Sequence, residues 1–161
     1  MKRALTLEGY RNSGIAELLE IQTFDSFDLS YYKDNEDNYQ YMTRAFGFLK
    51  NYAENFEVGR SPNLLFMGGT GLGKTHLSTA IARVVTERGY DVFYNSAVGM
   101  ISDFESRRFG NGVAAASTDD TSAYTECDLL IIDDLGTEVV NQFTLSCLYH
   151  VINTRLNLQK P

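Results

Sequence analysis

The sequence predicts an α/β fold of three layers, with helices on both faces of a parallel sheet. Residues 64–67 and 129–132 are unbroken apolar runs, and residues 91–94 form a third short segment with the composition of a strand. Runs without polar alternation suit strands that are buried on both faces. Helical patterns follow each segment, and this alternation favours parallel strands joined by right-handed crossovers.

The helices are predicted from apolar residues at helical spacing. We expect a short helical lead-in within residues 1–22, then helices over residues 41–56, 74–88, 98–107 and 142–158. The helix over 41–56 should continue to near Gly59, and residues 110–122 should form a flexible loop. On the lead-in, the residues expected to face inward are Ile15, Leu18 and Leu19. On the helix over 41–56 they are Tyr41, Ala45, Phe48, Leu49, Tyr52 and Phe56. On the last helix they are Leu145, Leu148, Tyr149, Ile152 and Leu156.

Composition and charge limit the class of protein. The chain has 161 residues, 43% of them apolar, which is sufficient for one globular domain. It has neither a membrane-length apolar run nor a secretory signal, so we expect a cytoplasmic protein with no membrane partner. Its net charge of −7 argues against strong autonomous binding to duplex DNA, but not against a small contact with a DNA strand inside an assembly. Cys127 and Cys147 are expected to be buried, reduced thiols.

Residues 68–75 match the phosphate-loop pattern GxxxxGK[ST] without a gap. Glycines allow successive main-chain amides to turn toward a phosphate, and the following helix directs its positive end at the same anion. The lysine would reach the β- and γ-phosphates, and the threonine hydroxyl would bind Mg²⁺. The alternative is a glycine-rich turn with an ordinary surface lysine. The predicted ATP-binding residues are Gly68, Gly69, Thr70, Gly71, Leu72, Gly73, Lys74 and Thr75.

Two carboxylates follow the third predicted strand. Ligands of open α/β sheets bind beyond the carboxyl ends of the strands, so Asp133 is placed to hold Mg²⁺ beside Thr75. Asp134 is then a candidate to orient the attacking water or act as a base. Together with Lys74 of the phosphate loop, it is a predicted catalytic residue. The alternative for both aspartates is a solvated turn at the strand end.

Three segments together resemble one family: GGTGLGKTHLSTAIA, GYDVFYNSA and CDLLIIDDLGTE. They are similar to the AAA+ ATPases of the DnaC/DnaI helicase-loader type, with the transposition ATPase IstB as a close relative. The resemblance covers residues 23–160 and is specific at both motifs. It implies a P-loop NTPase fold of the AAA+ (ASCE) type over residues 23–161, with residues 1–22 as a separate lead-in.

The resemblance also implies roles for residues outside the two motifs. His76 directly after the loop is typical of the family, and Phe24 and Phe27 would pack near the base of the nucleotide, with plain core packing as the alternative. A helical element from Ser96 would face single-stranded DNA and end at Arg107 and Arg108, whose alternative is an ordinary solvated patch. The implied partners are a replicative helicase, single-stranded DNA and further copies of the chain.

One departure from the family concerns the sheet. The resemblance implies the strand order 5-1-4-3-2, in which strand 4 separates the phosphate-loop strand from the acidic strand. Only three strands can be predicted here, so we expect an AAA+ domain that is incomplete before strands 4 and 5, and without its arginine finger. For these residues alone we expect poor ATP binding and negligible turnover.

Other functions remain open at this point. A small-molecule kinase could carry the same loop, but it would need an arginine-rich lid, and no such segment follows Val113. A nucleotide-binding interaction module without turnover is a further alternative. The favoured function is a helicase loader with weak ATPase activity that needs an oligomer or a partner, ahead of an IstB-like transposition ATPase.

Overall fold

The computed structural model describes residues 16–109 and 121–161. Its elements, in chain order, are α1 (Ala16–Ile21), a 3-10 turn (Leu29–Tyr32), α2 (Glu36–Glu54), α3 (Lys74–Glu87), β1 (Val92–Ser96), α4 (Ala97–Phe109), α5 (Ala123–Glu126), β2 (Leu129–Asp133) and α6 (Gln142–Asn157). Helix α2 ends five residues before the predicted stop at Gly59. Ile15 and residues 110–120 of the predicted loop lie outside the described residues.

The two strands pair in parallel, in a register that runs from Val92 opposite Leu129 to Ser96 opposite Asp133. Side chains alternate between the two faces of this sheet. Tyr94 and Ile131 belong to the core cluster with α2 and α3, whereas Phe93 and Ile132 pack in a second cluster with α4 and α6. Helices therefore cover both faces, and the three-layer α/β fold is confirmed.

The predicted strand over residues 64–67 is not present as a strand, because within the described residues only β1 and β2 form a ladder. An extended segment needs a neighbouring backbone to complete its hydrogen bonds. Residues 64–66 instead face β2 across a cavity of about 330 Å³. Leu65 and Met67 are 73% and 82% exposed. At the cavity wall, the carbonyl of Pro161 accepts a hydrogen bond from the Leu130 amide at 3.2 Å.

The apolar stripe predicted for α2 is correct only in part. Leu49, Tyr52 and Phe56 are buried in the core cluster, but Tyr41 and Phe48 are exposed. The buried face of α2 is therefore narrower than the stripe, because this face packs mainly against α3.

The inward face predicted for α6 is mostly wrong. Its buried residues are Thr144, Cys147, Val151 and Arg155. Four of the five predicted residues are exposed, namely Leu145, Tyr149, Ile152 and Leu156. The guanidinium of Arg155 explains why α6 buries a different face from the predicted one. It is 5% exposed and donates to the main-chain carbonyls of Tyr124, Cys127, Asp128 and Pro161, so a charged residue occupies a position that hydropathy assigns to the surface.

Both cysteines are free and buried, as predicted. Burial raises the pKa of Cys127 to about 11, so its thiol keeps its proton at neutral pH. None of the helices in the described ranges has the length and apolar character that crossing a membrane requires.

Candidate nucleotide-binding site

The phosphate loop leads directly into α3. Gly73 is the N-cap of this 14-residue helix and has a left-handed backbone with φ of 72°. Gly71 is also left-handed, with φ of 77°, a conformation that glycine adopts without steric cost. The free amides of the first helical turn and the positive end of the helix dipole therefore point into the loop. This local structure suits an anion.

The ammonium group of Lys74 lies across the loop. Its Nζ atom donates to the main-chain carbonyl of Gly69 at 2.7 Å and to that of Gly68 at 3.0 Å. Two bonds to neutral carbonyls hold the positive charge beside the helix N-terminus. A phosphate oxygen offers the same ammonium a charge-assisted bond, which is about twice as strong as a neutral one.

The acidic strand end lies beside the first turns of α3. Asp133 ends β2, and its Oδ2 atom accepts a hydrogen bond from the Tyr94 hydroxyl at 2.6 Å. The Tyr94 oxygen is 3.1 Å from Ser78 Oγ, and Ser78 Oγ is 3.0 Å from the Thr75 carbonyl, to which it can donate. Asp133 and Thr75 are thus connected through two side chains, and their shared role at a cation stays a prediction.

Asp134 has an unusual backbone for a residue other than glycine. Its φ is 53°, in the left-handed region that aspartate and asparagine tolerate better than most residues. The Thr137 amide and hydroxyl both bind the Asp134 carbonyl, at 3.2 and 2.8 Å, and so fix the turn. The side chain is exposed and lines the cavity that Lys74 and Ser78 also line. A carboxylate is therefore held at the surface beside the phosphate loop.

A second cavity, of about 650 Å³, opens on the other side of the loop. Phe27, Tyr32 and His76 line it together with Gly71–Gly73 of the loop. The His76 ring meets the Phe27 ring edge to face at a centroid distance of 5.1 Å, and its Nε2 atom lies 2.8 Å from the Thr23 carbonyl. The Tyr32 hydroxyl donates to the Leu72 carbonyl at 3.2 Å. This aromatic wall is suitable for a nucleotide base.

Phe24 and Phe27 have different environments. Phe24 is 5% exposed, packs edge to face on Phe46 and does not line the cavity at the loop. The core-packing alternative therefore describes Phe24. Phe27 is partly buried and is part of the cavity wall, next to Gly73.

The candidate DNA-contacting residues are not brought together. Ser96 accepts a hydrogen bond from the Gly99 amide at 3.0 Å and so caps the start of α4. Arg107 and Arg108 are in the last turn of that helix, about 16 Å further along its axis. Arg107 donates to the Thr121 hydroxyl, and the Arg108 guanidinium lies 5.2 Å from the centre of the Phe143 ring. Both arginines are exposed, and their contact with DNA stays a prediction.

Three residues of the site were not predicted from the sequence. Tyr32, Ser78 and Tyr94 contact the loop or the acidic strand end through side-chain hydroxyl groups. Burial, and then the hydrogen bond to Asp133, raise the pKa of Tyr94 far above its ordinary value, so this hydroxyl stays a donor. The one available signal was a tyrosine in the strand next to the acidic strand, two residues before its end.

Close contact with Phe27 makes Gly73 sensitive to substitution. A Cβ atom at position 73 would lie 2.6 Å from Phe27 Cε2, whereas a Cβ atom at Gly71 would meet nothing within 4 Å. Gly73→Ala is expected to lower the free energy of unfolding by about 2–4 kcal/mol, from left-handed strain plus overpacking. Gly71→Ala carries the strain alone and should lose about 1–2 kcal/mol. Urea denaturation of both variants measures the difference, and equal losses would show that the Phe27 contact has no energetic cost.

A parallel sheet, a phosphate loop at a helix N-terminus and an acidic strand end beside that helix define the class of P-loop nucleoside triphosphatases. The family described as "IstB-like ATP binding protein" matches residues 10–160, and the chain belongs to this family. The predicted ATP-binding AAA+ domain is thereby confirmed at the level of the family, while the assignment to helicase loaders stays a prediction.

Named relatives are replication initiators. The chain is 36% identical over 114 residues to the chromosomal replication initiator protein DnaA of Campylobacter jejuni, a match that covers 70% of this chain and 23% of that protein. It is 32% identical over 156 residues to DnaA of Helicobacter hepaticus, covering 94% and 30%. Among solved structures, AMPPCP-bound DnaA from Aquifex aeolicus is similar, with a TM-score of 0.60 and 26% identity over 86% of this chain and 39% of that one. The chain therefore spans less than a third of the curated relatives it matches here, and its fold is that of an AAA+ ATPase.

Proposed function

We propose that the chain binds and hydrolyses ATP as part of a DNA replication protein that loads a replicative helicase onto single-stranded DNA. The observation that carries the nucleotide part is the link from the phosphate loop to the acidic strand end, through Ser78 and Tyr94. Lys74, Asp133 and Asp134 also line one cavity beside this link, which supports a site for a charged phosphate and a cation. The replication part is supported by the family and by the DnaA relatives.

Each residue of this site has a proposed role in binding. The amides of residues 68–73 and Lys74 bind the β- and γ-phosphates of ATP. Thr75 and Asp133 hold Mg²⁺, which neutralises phosphate charge when it is bound. The described residues contain no group of three or more His, Cys, Asp or Glu side chains that could hold a metal alone. This donor set fits Mg²⁺, which prefers one or two carboxylates with phosphate and water oxygens.

Asp134 is the proposed catalytic carboxylate. It is exposed beside the loop, where it can accept a hydrogen bond from a water molecule and direct that water at the γ-phosphate. We propose that an arginine of a neighbouring copy completes the site in a homo-oligomer, because an added arginine contributes about 10³–10⁵ in rate in related enzymes. Turnover by this chain alone is then weak.

The base and the DNA have separate proposed positions. Phe27 and His76 form an aromatic wall against which the adenine packs, and this supports a base on the side of the loop where the 3-10 turn lies. Arg107 and Arg108 are exposed at the end of α4, where they contact the phosphates of single-stranded DNA within the assembly.

An IstB-like transposition ATPase is the second candidate, favoured by the family that matches. Such a protein would have the same ATP site as a helicase loader but different partners.

The kinase alternative is disfavoured by the arrangement of the sheet. Such an enzyme places the phosphate-loop strand beside the acidic strand, whereas a cavity separates residues 64–66 from β2 here.

The test combines binding with DNA stimulation. A fluorescent ATP analogue should bind in a manner that requires Lys74, and hydrolysis should be slow and rise when single-stranded DNA and the replicative helicase are added. A rise with duplex DNA but not with single strands or helicase would favour the transposition ATPase. Phosphorylation of a small-molecule acceptor would contradict both.

A further inference from the structure

We propose that Tyr94 is a positioning residue for Asp133, and that its hydroxyl sets the affinity of the ATP-bound site for Mg²⁺. This inference rests on the proposed function, because it assumes that the loop binds ATP together with the metal. Tyr94 itself would contact neither the nucleotide nor the reacting atoms.

The two oxygens of Asp133 have one fixed donor each. Tyr94 donates to Oδ2 at 2.6 Å, and the main-chain amide of Asp134 donates to Oδ1 at 2.9 Å. An ionised carboxylate accepts about four hydrogen bonds, so positions for water or metal remain on both oxygens. Because one donor lies on β1 and the other follows the end of β2, the carboxylate plane is fixed from two directions. Without Tyr94, only the amide at the base of the side chain would orient it.

The direction of the Tyr94 hydrogen bond follows from the single proton that each hydroxyl can donate. An ionised Asp133 can only accept, so the single Tyr94 proton goes to Oδ2. The single Ser78 proton then goes to the Thr75 carbonyl at 3.0 Å or to the Tyr94 oxygen at 3.1 Å. When Ser78 donates to the Tyr94 oxygen, hydrogen bonds through Tyr94 join β2 to the first turns of α3. When Ser78 donates to Thr75, the Tyr94 ring still packs against α3 in the core cluster. Tyr94 therefore holds Asp133 in a fixed relation to the helix that carries Thr75.

The position of Tyr94 makes this bridge rigid. Its ring is 3% exposed, and it packs in the core cluster between α3 and the sheet. A buried ring in the middle of a strand has little freedom to move, so its hydroxyl is a fixed donor. Donors that orient a metal-binding side chain in this way typically contribute about 10–100-fold to metal affinity.

The structure provides a matched control in Tyr124. This residue is 1% exposed, and its hydroxyl donates to Oδ2 of Asp103, a carboxylate on α4. Asn95 Nδ2 donates to the same hydroxyl at 2.6 Å. Both tyrosines thus present a buried hydroxyl to an aspartate near the end of β1, but Tyr124 faces the second core cluster. Replacing either with phenylalanine removes one hydroxyl and leaves the ring.

The test titrates Mg²⁺ into the full-length protein with a fluorescent ATP analogue bound, because these residues alone are expected to bind ATP poorly. Tyr94→Phe should raise the apparent Kd for Mg²⁺ by about tenfold or more, while analogue affinity in EDTA stays that of the wild type. Tyr124→Phe should leave both affinities unchanged, although it lowers the thermal midpoint. Ser78→Ala removes the second contact of Tyr94 and should raise the Kd for Mg²⁺ by less than Tyr94→Phe does.

Two results would overturn the inference. One is an Mg²⁺ affinity in Tyr94→Phe equal to that of the wild type, and the other is an equal loss in Tyr124→Phe, which would indicate a general effect of destabilisation. A wild-type protein that does not bind the analogue, or binds it equally well after Lys74→Ala, would overturn the proposed function itself. That outcome is read in EDTA, before any Mg²⁺ is added, so the two failures are distinguishable.

Discussion

In the full-length protein, Lys74→Ala is expected to weaken ATP binding by about 100-fold or more. Lys74 is positioned by its bonds to the Gly68 and Gly69 carbonyls, directly over the loop. Hydrogen bonds to charged groups contribute about 1.5–3 kcal/mol each. The loss of two such bonds from the lysine to the phosphates therefore weakens binding by at least about 100-fold. Isothermal titration with ATP and Mg²⁺ measures the change.

The control for this prediction is Lys50→Ala. Lys50 is a partly buried lysine on α2, outside both cavities at the loop. Its removal changes the net charge by the same amount and should leave the affinity unchanged. An affinity of Lys74→Ala within about threefold of the wild type would mean that the loop does not bind the phosphates through this lysine.

Asp134→Asn is expected to leave ATP binding unchanged and to lower hydrolysis by about 10²–10⁴-fold, the usual contribution of a positioned acid or base. Asparagine is the sharpest substitution here, because it keeps the shape of the side chain and tolerates the left-handed backbone at φ of 53°. Alanine would add backbone strain to the loss of the carboxylate. Single-turnover hydrolysis of radiolabelled ATP, with single-stranded DNA present, measures rates that are too slow for steady-state assays.

Glu54→Gln is a suitable control for charge. Glu54 is exposed at the end of α2 and lines neither cavity at the loop, so this change should affect neither binding nor hydrolysis. Unchanged turnover in Asp134→Asn would exclude Asp134 from the chemistry and leave the carboxylate with a structural role at the turn.

The phosphate loop and the acidic strand end could be predicted because their signals are local. Glycines, a lysine and a threonine at fixed spacing specify the loop within eight residues, and an apolar run that ends in Asp133 specifies a strand and its edge. The partners of Asp133 could not be predicted in this way. Tyr94 contacts it across 39 residues of sequence, and the contact depends on the register of two strands.

The wrong predictions for residues 64–67 and for α6 have a common physical cause. Contacts with other parts of the fold determine which side chains are buried and which segments form strands. Residues 64–67 have the composition of a buried strand, but a strand exists only where a neighbouring backbone completes the ladder. In α6, hydropathy favours Leu145 and Ile152 as inward residues, yet the helix buries Arg155 because four main-chain carbonyls surround its guanidinium. Neither outcome is encoded in the apolar pattern of the segment concerned.

The most direct measurement is a crystal structure of the protein with a non-hydrolysable ATP analogue and Mn²⁺ in place of Mg²⁺. Anomalous scattering locates the manganese independently of the model of the protein. We expect the ion between the Thr75 hydroxyl and the Asp133 carboxylate, with the phosphates enclosed by residues 68–75. A nucleotide bound elsewhere, or an ion remote from both side chains, would contradict the account.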